Sequence, residues 1–349
     1  MSIILEVIMK KVLIEEAVGL PICHDMTRVV PGEFKGVAFK KGHIITKEDI
    51  PMLKSMGKEN IYVGEIPEGF VHEDECARRI ADSIASKDEF EFSDVNEGKI
   101  NIKAKYDGLL KIDVQKLYDL NSIEHVSIST IYDNVVVSKG DKVASERIIP
   151  LFTRKENIKK VEELGSSGEL LHIKPFIKQK IHLLITGNEV FKGIIKDRFY
   201  DALKPKVEMY GSYISDVTKA PDDKAAIKSE INNAIEGGAD IVICTGGMSV
   251  DEDDLTPIAI KEVADELIVH GVPVQPGNMF LLAYKENVPI MGLPAAVMFH
   301  RYTIFDIAFP FIACKEKPEK EFFKRLSLGG LCHFCSECHY PNCTFGKGR

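Results

Sequence analysis

Between Lys178 and Phe311 the apolar positions follow two alternating rhythms. IHLLIT and ADIVICT are continuous apolar runs of the kind a strand covered on both faces requires. Between them lie a helical pattern at Phe199, Leu203, Val207 and Tyr210, the stretch SYISDVTKA and a second helical segment over 225–235. Strands alternating with helices of this length predict βαβ units. The expected fold class is therefore α/β, a doubly wound, mostly parallel sheet with helices on both faces. A further helix is predicted over LTPIAIKEVADEL, with Pro257 in its first turn.

The amino-terminal half has a different texture. From Val18 to Val63 short apolar pieces alternate with turn signals at Val30-Pro31-Gly32 and Lys41-Gly42. EDIPMLKSMG spaces Ile50, Leu53 and Met56 by single helical turns, with Gly57 as the C-cap, and IYVGE follows as a strand. Residues 73–86 carry helical periodicity with acids in the first turn. Beyond a charged break at 87–94, β-branched residues and Gly-Asp turns predict a β-rich module around one short helix. The expected organisation is an α+β segment (1–72), the β-rich module (73–177), the α/β domain (178–315) and a short Cys-rich tail (316–349).

Composition narrows the function. With 349 residues, 45% hydrophobic and 28% charged, a soluble globular protein of roughly two or three domains is expected. A formal charge of −8 and the lack of a local basic stripe argue against nucleic acid and for a small-molecule ligand. No apolar run reaches the roughly 18 residues that a spanning helix needs, so no membrane partner is expected. MSIILEVIMKKV places its lysines after the apolar run, the reverse of a signal peptide, so a cytoplasmic protein is expected. Met9-Lys10-Lys11 reads as the more natural start, which makes residues 1–8 an upstream extension.

Half of the eight cysteines crowd into the last eighteen residues. Cys332, Cys335, Cys338 and Cys343 form a C-x2-C-x2-C-x4-C run with His333 and His339 interleaved. Such clustering argues for metal in a cytosolic chain, because two-residue spacings let successive thiolates face one centre. The run resembles a ferredoxin-type cluster motif, with a last spacing one residue longer and a proline before the final cysteine. An iron–sulfur cluster and Zn²⁺ both remain open, beside the bland alternative of a reduced, unligated tail. Cys23, Cys76 and Cys314 lack partners at ligand spacing and read as buried thiols.

In an open α/β sheet, ligands lie beyond the carboxyl ends of the strands. Three loops of the second half fall there: Thr186-Gly187-Asn188-Glu189-Val190, Ala220-Pro221-Asp222-Asp223, and Thr245-Gly246-Gly247-Met248-Ser249 running into four acids at 251–254. Two glycines let backbone amides approach a ligand, and amides at a glycine turn before a helix make an anion site. Carboxylates beside an anion site call for a divalent cation between them, as Mg²⁺ typically takes one or two carboxylates plus phosphate oxygens. The bland alternative is a solvated loop with an N-cap. Val274-Gln275-Pro276-Gly277-Asn278-Met279 and Gly292-Leu293-Pro294-Ala295-Ala296 add small residues and prolines that leave room for a flat ligand.

TGNEV, the aspartates after Pro221, TGGMSVDEDDLTP, QPGNMF and GLPAAVMF, in this order, resemble the molybdopterin-binding domain shared by molybdopterin molybdenumtransferase, molybdopterin adenylyltransferase and gephyrin. The resemblance covers about 178–311. More loosely, KKGHIITKEDIPMLKSMGKENIYV is similar to the start of the molybdenumtransferase. It implies molybdopterin as ligand, with Glu189, Asp222 and Asp254 as catalytic acids and Thr245, Gly246, Gly247 and Ser249 as the phosphate-binding turn. Asp254, with Asp251 as a second contact, would hold Mg²⁺; Glu252 and Asp253 would be solvated. Thr186, Gly187, Asn188, Pro276, Gly277 and Pro294 would line the cofactor. The transferase form hydrolyses an adenylylated pterin as molybdate is inserted.

Three departures bear on the activity. The transferase's Asp-Asn-Ser-Ala-Met-Asp-Gly motif is missing after VVPGEF. Its Gly-Leu-Pro-Gly-Asn-Pro stands here as Gly292-Leu293-Pro294-Ala295-Ala296-Val297, and Asp251 replaces a common glycine. A Mg²⁺-dependent molybdenumtransferase is the leading expectation. A non-catalytic molybdopterin carrier or sensor and a molybdopterin adenylyltransferase are the alternatives. A homodimer, and docking to a molybdoenzyme or another cofactor-pathway protein, are the open partner expectations.

Overall fold

Along the strand Lys180–Thr186, Ile181, Leu183 and Ile185 join one apolar cluster while Leu184 joins another. Successive side chains of a strand point to opposite faces, so this strand is covered on both. The computed structural model describes residues 9–30, 32–64, 66, 68–249, 251–252 and 254–348. The expected upstream extension, residues 1–8, lies outside the described residues, as do Val250 and Asp253 of the acidic loop. The chain divides between Ile173 and Lys174 into two compact units.

The elements that carry the candidate site belong to the second unit and are numbered within it. They are β1 (Lys180–Thr186), α1 (Asn188–Phe191), α2 (Phe199–Glu208), β2 (Tyr213–Ala220), α3 (Lys224–Glu236) and β3 (Ile241–Thr245). There follow α4 (Thr256–Val263), β4 (Glu266–His270), β5 (Leu281–Lys285), β6 (Val288–Leu293), α5 (Ala296–Phe299), α6 (Ile304–Ala313) and α7 (Lys320–Arg325). The six strands form one sheet in the order β2-β1-β3-β6-β5-β4. β2, β1, β3 and β6 run parallel, while β5 is antiparallel to both β6 and β4. The carboxyl ends are level: Thr186 pairs with Ala220, and Ile185 with Thr245, which pairs with Leu293.

Helices cover both faces. Phe199, Leu203 and Val207 of α2 and the apolar length of α6 pack on one, Ile227 and Ile231 of α3 and Ala259 and Ile260 of α4 on the other. Every residue of α6 is buried. Its Phe305 and Phe309 rings lie 4.9 Å apart, and full burial of each contributes about 1.5–3 kcal/mol. Thr303 and Asp306 close a capping box at its start. The helix predicted over 255–267 ends at Val263: Ala264 is extended, and the apolar run at 267–269 enters β4 instead.

In the first unit, Leu53, Ile61, Val63 and Phe39 form one cluster in the span 12–63, beside the hairpin Met26–Val30 and Phe34–Phe39. A second cluster lies under the helices Glu73–Ile84 and Lys155–Ser166 and an antiparallel sheet ordered Phe90–Phe92, Lys99–Ala104, Lys142–Ile148, Val126–Thr130. Cys76, Ala77, Ile80, Ala81 and Ile84 put an apolar stripe at helical spacing on the buried side.

Candidate functional site

All five sequence-singled loops leave or enter the sheet at the level carboxyl edge. Four follow the ends of β1, β2, β3 and β6; the Gln275–Met279 loop joins β4 to β5, whose first residue, Leu281, pairs with Gly292 near the end of β6. The sheet's direction thus brings together segments up to about a hundred residues apart in the chain.

The first two loops are bonded to each other. The Gly187 amide donates to the Ala220 carbonyl at 3.2 Å, and the Asn188 amide to the Asp222 carboxylate at 2.8 Å. The Asp222 amide returns a bond to Asn188 Oδ1 at 3.4 Å. Asp223, not Asp222, caps α3, accepting from the Ala226 amide at 2.8 Å. Asp222 is thereby committed to the strand-end loops. Glu189 is exposed in the single turn of α1, where its Oε2 would lie 3.8 Å from a Cβ placed on Gly187.

The third loop is tied to the first from below. Thr186 is buried, and its hydroxyl donates to the Thr245 carbonyl at 3.2 Å and meets the Thr256 hydroxyl at 2.9 Å. Gly246 and Gly247 have φ of +86° and +49°. A Cβ on Gly246 would sit 2.1 Å from the Thr186 carbonyl oxygen, and one on Gly247 would sit 2.9 Å from Thr256 Oγ1. Only glycine fits this double approach. Met248 folds back over the sheet, where a Cβ on Gly292 would meet its Cε at 2.5 Å. Cys244 and Thr245 point into the interior; burial pushes the Cys244 thiol up to about 12, which makes it an inert packing group. Ser249 is exposed at the turn.

Asp254 holds the most telling atom. Its Oδ2 is buried and has no hydrogen-bond partner among the described residues, while its Oδ1 would stand 3.6 Å from a Cβ on Gly247. A carboxylate oxygen stripped of water without a donor costs about 1–3 kcal/mol or more, so a cation or a donor suits this position. The Asp254 amide donates to the Asp251 carbonyl at 3.0 Å. Asp251 and Glu252 face solvent. The donor set, carboxylates beside a cradle that a Cβ would fill, fits Mg²⁺ with a phosphate group.

The remaining loops are packed down. Pro276, Gly277 and Pro294 are buried. The Ile304 amide donates to the Pro276 carbonyl at 3.3 Å, which anchors this loop to the start of α6. The cysteine run lies against it: the Gln275 amide donates to the Gly330 carbonyl and the Cys332 amide to the Gln275 carbonyl, both at 2.8 Å. Cys332 and Cys343 are half-buried, Cys335 and Cys338 exposed, and all four are free thiols.

Several contributors are not apparent from motif spacing. Thr256 and Met248 lie inside the glycine-turn motif, but nothing in it assigns them a role, although the position of Thr256 just before Pro257 is the usual start of a helix. The buried ion pair of Lys206 with Asp306, at 2.7 Å, joins α2 to α6 across 100 positions. In the first unit, ligand atoms of Glu89, Glu169 and His172 lie within 4.8 Å of one another on a largely exposed surface.

Residues 182–313 match the family model described as "Probable molybdopterin binding domain". This part of the chain is a member of that family. Residues 11–65 match a separate model, a domain of unknown function. The molybdopterin-binding-family domain holds every loop described above, and its match ends before the cysteine run.

Among curated proteins, the chain is similar to a molybdopterin molybdenumtransferase of Haemophilus influenzae, 28% identical over 157 residues that cover 43% of this chain and 38% of that protein. A molybdopterin biosynthesis protein of Methanocaldococcus jannaschii is 30% identical over 139 residues, 39% of this chain and 31% of that one. A CinA-like protein of Syntrophus aciditrophicus is 35% identical over 130 residues, 33% of this chain and 31% of its own length. The chain thus spans about a third of the length of these relatives. Among solved structures, the molybdopterin biosynthesis enzyme MoaB of Thermus thermophilus superposes with a TM-score of 0.35 at 18% identity, covering 40% of this chain and 98% of that one. No helix among the described residues is long and apolar enough to cross a membrane.

Proposed function

We propose that the second unit is a Mg²⁺-dependent molybdopterin molybdenumtransferase-like site that takes an adenylylated molybdopterin and molybdate as substrates. The observation that carries this reading is the partnerless, buried Oδ2 of Asp254 beside the Gly246-Gly247 turn. The amides of that turn and the Ser249 hydroxyl receive the phosphate. Asp254 and Asp251 hold the cation, which when bound neutralises the diphosphate and stabilises charge on the leaving phosphate. Asp222, held by the Asn188 amide, and Glu189 face the same edge and act on the anhydride end of the substrate. Pro276, Gly277 and Pro294, packed down at the same edge, form the floor beneath the pterin. The protein acts in the cytoplasm, as a homodimer or beside the molybdoenzyme it serves.

Two features of the sequence favour a second reading. Ala295 and Ala296 replace a glycine and an asparagine of the transferase pattern, and the long motif expected after VVPGEF is missing, which suits a carrier or sensor that binds without turnover. Incubating the chain with adenylylated molybdopterin, Mg²⁺ and molybdate separates the readings. AMP release with molybdenum retained on the pterin supports transfer. Tight binding without AMP supports the carrier. ATP-dependent formation of the adenylylated pterin from free molybdopterin supports the adenylyltransferase.

A further inference from the structure

The cysteine run is clamped at both ends. Before it, Leu331 bridges to Gln275; after it, Phe345 is buried in the main cluster of the unit; and within it the Tyr340 hydroxyl donates to the Asp306 carbonyl at 3.3 Å. Between the clamps, Cys332, Cys335, Cys338 and Cys343 line one partly open cavity of ≈ 170 Å³, with Pro276, His300, Tyr302, His333, Phe334 and His339 around them. Phe334 sits at φ 51°, its ring 5.5 Å from that of His300, and its amide donates to Cys332 Sγ at 3.4 Å. Amide donors to sulfur and a largely apolar wall are the levers by which proteins hold and tune iron–sulfur centres.

Spacing and room favour one of the two kinds of centre that these side chains could hold. A tetrahedral Zn²⁺ with 2.3 Å bonds needs its sulfurs about 3.8 Å apart. No three of these cysteine sulfurs lie within 4.8 Å of one another, although all four face the same cavity. A four-iron cubane sets its core between the thiolates and so holds them further apart than a single ion does. A cavity of ≈ 170 Å³ has room for a cluster.

We propose that Cys332, Cys335, Cys338 and Cys343 bind an iron–sulfur cluster of the four-iron type, seated against the Gln275–Gly277 loop. The site stands on the geometry of the tail and does not depend on the transferase reading. Loading occurs by ligand exchange from a thiolate-ligated cluster. Each cysteine sulfur replaces one small thiolate on iron and passes its proton to that leaving thiolate, so four thiols are released and no electron changes hands. Because Cys332 and Gly330 are bonded to both sides of Gln275, a bound cluster also fixes the loop that lies at the strand-end edge.

The test is anaerobic titration of the full chain with a synthetic, thiolate-ligated four-iron cluster, followed by desalting, iron and sulfide analysis and the visible spectrum. About four iron and four sulfide per chain, with thiolate-to-iron absorption, are expected. Cys335→Ser and Cys338→Ser change exposed side chains, so the circular dichroism of each stays that of the parent while retained iron falls at least about fivefold in the double variant. Three results would overturn the proposal: no iron and sulfide retained by the parent, Zn²⁺ bound at one per chain by all four thiols in preference to the cluster, or undiminished iron in the double variant.

Discussion

Thr186 and Thr256 share a 2.9 Å hydrogen bond between hydroxyls that are both buried, 70 positions apart. The bond joins the end of β1 to the first turn of α4, directly beneath the glycine turn. Replacing Thr186 with Val keeps the volume and deletes the donor, leaving the Thr245 carbonyl and the Thr256 hydroxyl short of a partner. Thr186→Val is expected to cost about 1–3 kcal/mol in a thermal or urea unfolding measurement and to weaken phosphate-ligand binding in parallel.

The neighbouring aspartates after Pro221 have separable roles. Asp222→Ala removes the acceptor that holds the Asn188 amide, so ligand affinity should fall at least about tenfold while the unfolding midpoint moves little. Asp223→Ala removes the α3 cap and should do the reverse, costing about 1 kcal/mol of stability with affinity kept. Calorimetric titration of both variants, paired with unfolding curves, checks the separation; equal loss of affinity in the two would contradict it.

Glu146 in the first unit gives a pH signature. Both of its carboxyl oxygens are buried, and burial raises its pKa from 4.5 to about 9, with the Ile100 backbone and the Arg147 charge pulling the other way. A carboxyl whose folded value lies above its unfolded one keeps its proton on folding. Between about 4.5 and about 9 stability therefore falls as pH rises, by on the order of 1 kcal/mol per pH unit. Glu146→Gln keeps the neutral shape and should flatten this slope; superimposable urea midpoints against pH for the two proteins would refute the assignment.

Lys206 and Asp306 form a buried pair at 2.7 Å, with the Lys206 ammonium also 5.7 Å from the centre of the Tyr302 ring. Burial pushes the Asp306 carboxyl above its ordinary range even though Lys206 opposes that shift. Lys206→Met leaves the carboxylate uncompensated and should cost about 3–5 kcal/mol at neutral pH. Protonation of Asp306 relieves the isolated charge, so the deficit relative to the parent should shrink as pH is lowered. Urea unfolding at neutral and mildly acidic pH measures both.

Much of the α/β half was legible in the sequence because its strands are buried on both faces and read as unbroken apolar runs, and because glycine turns mark their ends. The loops at Thr186, Asp222 and Gly246 could be named from the chain for that reason. The edge formed by β4, β5 and β6 was harder to read. ELIVH continues the apolar pattern of the preceding helix without a proline or glycine, so the pattern alone carries the helix past Val263. Which of two adjacent aspartates caps α3 was not legible either, because both types and spacings serve, and only the reach of the Asn188 amide decides. The Thr186–Thr256 bond and the Lys206–Asp306 pair depend on tertiary proximity, which leaves no local trace. The crowding of the cysteines was plain, but their seat on the Gln275 loop follows from main-chain bonds that no spacing encodes.

The central claim is that the buried Asp254 oxygen beside the glycine turn serves a cation that the phosphate of the ligand shares. Calorimetric binding of adenylylated molybdopterin to the parent and to Asp254→Asn, each with and without Mg²⁺, tests it most directly. The account predicts that Mg²⁺ tightens binding to the parent at least about tenfold and leaves Asp254→Asn, still folded, almost unaffected. Binding that is equally tight with and without Mg²⁺ in both proteins would contradict it.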